Sequence, residues 1–438
     1  MKRHTSRALR AGVAAATAGV TLAACGVGAE PVRNPELSDG DVTISYAWWG
    51  AEARAQLTLE AIELFEEEYP NIDVDPQYAE WGGYWDRMAT TTAAGDMPDV
   101  SQFDQIYLSS YADRGALLDL SGVSNILDIS ALDERILETG RVDGTQYAVP
   151  LGGAANGVII NTTLFEEYGV ELPDTSDWTW DEFTRAADDL VTASDGEVRG
   201  VSPFADSFSL GVWARQQGSE VFDDEGVALS ADVLASFWQR QLDWIDSGAA
   251  PSVDHIIETT GATLDQTDLV TGRTAMAFIP AGAFIAYQSA APDFDLDLVN
   301  WPSGDGIEPG FQYPKPTMYW VAASTSEHPA EAALLIDFLT NDTRVGEIFG
   351  LDRGEPANPA FTEAIEPDLD DTGREALAFS ESVAQEMGDT PPITPNGAST
   401  LDALLNRYTQ QALLGETSPR EAAEGFINEL TDSVRAVD

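Results

Sequence analysis

The 438-residue sequence contains one cysteine and three histidines. A single cysteine excludes an intramolecular disulfide. His4 falls in the basic N-terminus, and His255 and His328 stand far apart. A His-based zinc centre and a Ser-His-Asp triad are therefore not expected. No phosphate loop, dinucleotide fingerprint or G-x-S-x-G elbow occurs. No cofactor, metal or catalytic residue is assigned, and the chain is not expected to be an enzyme. Positive charge is also scarce: 22 basic residues face 75 acidic ones, a net charge of −53, and the only lysines are Lys2 and Lys315. Such a field repels nucleic acid and anionic lipid, which removes both as partners. The abundance of acids also makes pairs such as Asp188/Asp189 or Asp223/Asp224 uninformative about a glycosidase. The run "DFDLDL" at 293–298 lacks the glycine and distal glutamate of a calcium loop and reads as an edge strand.

The N-terminus is distinctive. A basic stretch, "MKRHTSRALR", precedes the small apolar run "AGVAAATAGVTL", which is too short to span a bilayer as a mature helix. It ends in "LAAC" at 22–25, where the chain's only cysteine stands. This resembles the lipobox of bacterial lipoproteins, in which cleavage precedes the cysteine and the thiol takes a lipid. Residues 1–24 then form a signal peptide, Cys25 is the lipid attachment site, and the protein sits on the extracellular face of the cell membrane. Cleavage removes four basic residues and no acids, leaving −57. Residues 25–40, polar and rich in Gly and Pro, read as a flexible tether.

The body alternates strand-like and helix-like runs without an internal repeat. "VTISYAW" predicts a strand, and "AEARAQLTLEAIELFEEEYP" a helix with Leu57, Ala61, Leu64 and Phe65 on one stripe. "NIDVD" and "PDVSQF" predict further strands, each followed by a helical run. Thr179 and Glu182 form a capping box, so Trp178 and Trp180 are expected to pack at that helix start. Pro329 suits a first helical turn, and Ser418, Pro419 and Glu421 open a last helix. Repeated βα units mean a mostly parallel sheet covered by helices, and this length suits two such lobes.

Aromatics stand at turn-like places beside Gly, Pro or polar residues, including Trp48, Trp49, Trp81, Tyr84, Trp85, Tyr107, Trp301 and Tyr319. An aromatic face is a flat apolar plate that stacks on the C–H face of a sugar ring. The same plates suit a quaternary ammonium, and ordinary core packing also uses them.

The segments "WWGAEAR", "FEEEYPNIDVD", "WGGYWDRMATTTAAGDMPDVSQFDQIYLSSYADRGALLDL", "GTQYAVPLGGAANGVIINTTLFEEYGVELP", "WTWDEF", "LVTGRTAMAFI" and "LDRGEPANPA" follow one another in a familiar order. The chain resembles the extracellular solute-binding proteins of bacterial ABC importers, in the sugar-binding branch that includes maltose-binding protein. The resemblance implies an α/β, two-lobed, periplasmic-binding-protein-like fold of type II, with hinge strands around a ligand cleft. It places residues 41–149 plus 312–353 in lobe one and 150–311 plus 354–438 in lobe two, with crossings near 149–153, 300–304 and 352–356. It further implies capture of a sugar or oligosaccharide by lobe closure and delivery to ABC permease subunits, by a monomer. By position in the family order, ligand contacts are expected from Trp48, Trp49, Trp81, Tyr84, Asp104, Tyr107, Asn156, Phe284, Lys315, Tyr319 and Arg353. Near Phe284 relatives often place a stacking aromatic, and the maltose-binding relative has a Trp-containing motif where this chain has Pro280, Ala281 and Gly282, which argues against maltodextrin. A lipid-anchored glycosidase, or the same fold binding a betaine-like cation, are the alternatives.

Overall fold

The computed structural model describes residues 32–437 except Ala205 and Asp305, so the expected signal peptide and the expected lipid attachment at Cys25 lie outside the described residues. The strands that carry the architecture are, in chain order, β1 (Val42–Trp49), β2 (Ile72–Ala79), β3 (Val100–Phe103), β4 (Ala148–Pro150), β5 (Gly152–Ala154), β6 (Asn156–Asn161), β7 (Arg199–Val201), β8 (Thr274–Pro280), β9 (Leu296–Val299), β10 (Lys315–Pro316), β11 (Tyr319–Ala322) and β12 (Glu355–Pro356).

Lobe one is a five-stranded sheet in the order β2-β1-β3-β11-β4. β1 runs parallel to β2 and β3, while β11 returns antiparallel to β3 and β4. Alternate side chains of β1 leave on opposite faces. Ile44, Tyr46 and Trp48 join one apolar core, and Ala47 and Trp49 join another. The helix Glu52–Glu68 packs on the first face through Ala55, Ala61, Ile62 and Phe65. Leu57 and Leu64 of the expected stripe are only partly buried, because the helix turns its smaller alanines toward the sheet.

Lobe two is a four-stranded sheet in the order β9-β6-β8-β7. Val158, Ile160, Met276 and Phe278 face one core, and Ile159, Ala277 and Ile279 the other. The first of these cores is aromatic: Phe204 stacks on Trp301 at 5.6 Å, and Trp180 sits edge-on to Trp213 at 5.3 Å. The Thr179–Glu182 capping box forms, with Trp178 and Trp180 buried at the helix start. Ser418 and Glu421 form a second box, and their helix Pro419–Arg435 lays Phe426 and Leu430 into the same core.

A third sheet, β10-β5-β12, links the lobes, pairing Lys315 with Ala154 and Glu355 with Gly153. Only glycine fits at 152, since a Cβ there would lie 2.5 Å from the Glu355 carbonyl oxygen and 2.9 Å from that of Arg353. The middle crossing therefore runs through 315–316. Residues 300–304, rich in Pro and Gly, instead turn back onto lobe two, where Trp301 is buried and Ser303 N–H donates to the Trp178 carbonyl at 2.8 Å. Two further placements differ from expectation. Phe361, in a segment assigned to lobe two, packs on Gly346 in the lobe-one core. Residues 32–38, assigned to the tether, lie along lobe one. There Asn34 N–H donates to the Gly122 carbonyl at 2.7 Å and Ser38 N–H to Glu331 Oε1 at 2.7 Å.

Candidate functional site

A cavity of about 210 Å³ opens between the lobes. Lobe one contributes Trp81, Asp104, Gln105 and Ile106, lobe two contributes Ser207, Phe208, Gly211, Glu220 and Asp402, and Tyr313 and Lys315 complete the wall beside the linking sheet.

Trp81 starts the helix Trp81–Ala94 and is 41% exposed, in a chain whose tryptophans are mostly buried. Its indole is braced edge-on by Trp49, with ring centroids 5.0 Å apart, and by Trp85 at 5.7 Å. The bracing rings hold it as a rigid plate with its free surface toward the cavity. On the opposite wall, Phe208 and Tyr313 meet at 5.2 Å, and Gly211 leaves room for Tyr313, whose hydroxyl would lie 2.3 Å from a Cβ there. Burial pushes the Tyr313 hydroxyl well above the usual tyrosine range, so it is a neutral donor and acceptor. Arg215 stacks over its ring at 4.8 Å while pairing with Glu220 at 2.8 Å and donating to the Asp389 carbonyl.

Two aspartates cap the helices that end at the cavity. Asp104 Oδ1 accepts from Ile106 N–H at 3.0 Å, and Asp206 Oδ1 accepts from Ser209 N–H at 2.7 Å. Short polar side chains serve these positions because they satisfy N–H groups with no intrahelical partner. Burial raises both carboxyls above the ordinary aspartate range, Lys315 draws both partly back, and Asp402 adds a smaller upward push. The Lys315 ammonium lies 5.6 Å from the Phe208 ring centroid, and no carboxylate among the described residues is within 4.0 Å of it.

The structure brings three of the expected contacts, Trp81, Asp104 and Lys315, to the cavity wall. Four others form a layer behind it. Trp49 braces Trp81, and Tyr107 packs at a tilt against Trp85, with ring centroids 3.8 Å apart. Tyr84 is buried with its hydroxyl donating to the Gln102 carbonyl at 2.6 Å. Asn156 is buried too. It receives Trp301 Nε1–H at 3.2 Å, bonds Gln312 through its backbone, and its Nδ2 reaches Ser209 Oγ at 3.5 Å. It thus steadies the helix that carries Phe208 rather than lining the cavity.

The remaining four sit in cores, each for a local packing reason. Trp48 is fully buried, stacked on Tyr78 at 5.5 Å, because alternation on β1 turns it away from Trp49. Phe284 is fully buried against the face of the lobe-two sheet opposite the one that carries Phe208. Tyr319 points into lobe one, its hydroxyl donating to the Thr139 carbonyl at 2.9 Å. Arg353 is buried over the Phe349 ring, with Nη1 donating to Gln102 Oε1 at 2.8 Å and Nη2 to Thr58 Oγ1 at 2.7 Å. Burial lowers its pKa. Tyr319 and Arg353 are therefore not available to a ligand in the cavity. Sequence reasoning missed Phe208, Tyr313, Asp206 and Asp402. Tyr313 carried a usable signal, an aromatic beside Pro314, whereas Asp402 was lost among 75 acids.

The model of the family described as bacterial extracellular solute-binding protein matches residues 40–343. Relatives from Brucella abortus are 26% identical over 161 residues, 37% of this chain, and the chain spans only 38% of their length. An uncharacterized lipoprotein of Streptomyces antibioticus is 26% identical over 86% of this chain and 82% of its own. The multiple sugar-binding protein of Streptococcus mutans is 26% identical over 42% of this chain and 40% of its own. Among solved structures, a periplasmic solute-binding protein of Pectobacterium atrosepticum superposes with a TM-score of 0.79 at 24% identity, covering 90% of this chain and all of that one.

Proposed function

Because the chain belongs to the family of bacterial extracellular solute-binding proteins, we propose that it captures a sugar or oligosaccharide between its lobes and hands it to the permease of an ABC importer. The observation that carries this reading is the cavity wall itself, in which one braced, exposed tryptophan faces polar groups drawn from both lobes. A ligand seated there touches Trp81 and Asp104 on one side and Phe208 and Tyr313 on the other. It therefore favours the closed state by the contacts it gains only when both walls meet it. The linking sheet β10-β5-β12 serves as the hinge, its strands being two or three residues long. A micromolar ligand needs about −8 kcal/mol. Stacking on Trp81 and a few charge-assisted hydrogen bonds in a partly dry cleft supply energies of that order.

The name of the Streptococcus mutans relative supports a carbohydrate ligand, and that of the Streptomyces antibioticus relative supports anchoring through lipid on Cys25. The experiment is a thermal-shift screen over mono- and oligosaccharides, followed by calorimetry on each hit. Absence of binding by any carbohydrate defeats the reading, and so does turnover of a bound oligosaccharide into products. For the anchor, Cys25→Ser should release the protein from the membrane fraction into the medium.

A further inference from the structure

Resting on the carbohydrate reading above, we infer that the cleft is built for a sugar carrying a protonated amine, because two carboxylates of its wall, Asp104 and Asp402, face a single unpaired ammonium, Lys315, while Asp206 caps the helix that begins beside them.

The charges at the site do not cancel. Arg215 is committed to Glu220 at 2.8 Å and to the Asp389 carbonyl, so that pair is internally satisfied. Lys315 is then the one remaining cation of the wall among the described residues, and it acts on both Asp104 and Asp206 at once. Asp104 spends Oδ1 on its helix, and its Oδ2 has no protein donor among the described residues. Asp402, in the first turn of the helix Leu401–Leu413, makes no hydrogen bond or ion pair among the described residues and lines the cavity. Negative charge in excess of Lys315 is thus left facing a cleft that a ligand would dry. Desolvating unpaired carboxylates is costly, and a cation that enters with the ligand removes that cost. A neutral sugar leaves it in place, and a uronate adds to it. The burial that raises the Asp104 and Asp206 carboxyls is the same desolvation seen from the protein side. The chain's net charge of −53 acts in the same sense at long range, concentrating cations near the cleft and turning anions away. The neutral acceptor Tyr313 and the plate of Trp81 serve the ring and its hydroxyls, while the carboxylates single out the amine.

The test is calorimetry near pH 6.5 on matched ligands. Chitosan-derived di- to tetrasaccharides are compared with their N-acetylated forms and with cello-oligosaccharides of equal length. Galactosamine is compared with galactose, and trigalacturonate and glycine betaine complete the panel. The amine member of at least one pair should bind about 10-fold or more tightly than its neutral counterparts, with an association rate that falls as salt rises. Asp104→Asn keeps a helix cap, since asparagine caps as well as aspartate, and Asp402→Asn alters an exposed position. Each should weaken the amine about 10-fold and a neutral sugar by a clearly smaller factor. Neutral sugars binding as tightly as their amines, tight binding of trigalacturonate, or equal effects of the Asn variants on both classes would overturn the inference while leaving the carbohydrate reading intact. Binding of betaine alone, or of nothing in the panel, would defeat that reading as well.

Discussion

Replacing Trp81 by alanine removes the one exposed tryptophan of the cavity wall. The side chain is 41% exposed, and a tryptophan offers at most roughly 250 Å², so about 100 Å² is free to meet a ligand. At ~25 cal/mol per Å² this surface contributes about 2–2.5 kcal/mol, a loss of roughly 30- to 60-fold in affinity. The fold loses packing as well. The edge contacts with Trp49 and Trp85, at 5.0 and 5.7 Å, are worth about 1–3 kcal/mol between them, a drop of several degrees in Tm. Trp81→Phe keeps a smaller plate and should recover part of the affinity. The assay is titration calorimetry with the strongest carbohydrate hit of the screen, alongside circular dichroism and a thermal melt. An affinity within about threefold of wild type, with the fold intact, would show that the indole is no part of the site.

Trp49→Ala should act mainly on stability. The ring is 8% exposed and braces Trp81, Tyr84 and Trp85, so a loss of about 3–5 kcal/mol of stability is expected in denaturant melts, with weaker binding as a consequence. Gly152→Ala places a methyl group 2.5 Å from the Glu355 carbonyl oxygen and should cost about 1–3 kcal/mol, read as a lower Tm together with altered ligand affinity because the strain falls on the linking sheet. Glu355 carries a pH prediction. Burial raises its carboxyl from 4.5 to about 7, so the folded protein holds a proton that the unfolded chain releases. Its contribution to stability is full below about pH 4.5 and is lost as pH rises toward 7. Glu355→Gln should therefore gain stability at pH 8 relative to wild type, by about 1–3 kcal/mol. Urea melts at pH 5 and pH 8 measure it, and an unchanged difference between the two pH values would refute the assignment.

Much of what is local in this protein can be read from neighbouring residues. The capping boxes at Thr179–Glu182 and Ser418–Glu421, Pro329 in a first turn and the strands "VTISYAW" and "PDVSQF" all formed where spacing and residue type predicted them. Their determinants lie within a few residues of one another. The two-lobed α/β class followed from the alternation of such elements and from the order of the segments.

The cleft itself was legible only in part. Aromatics beside Gly and Pro pointed to Trp81, and the positions following strands pointed to Asp104, but the same reasoning also selected Trp48 and Tyr319. All four stand at similar places in the sequence, at or just after strand ends. What divides them is the side of the sheet each faces and what the other lobe places opposite. On β1 the parity of one residue sends Trp48 into a core and Trp49 behind Trp81. Arg353 looked like a ligand contact beside a crossing, yet Gln102 and Thr58, distant in sequence, hold it inside lobe one. Composition and local pattern determined the charge, the elements and their caps. Tertiary structure alone decided which carboxylates come together and which ring is left uncovered, because both depend on how separate elements and the two lobes are set against one another.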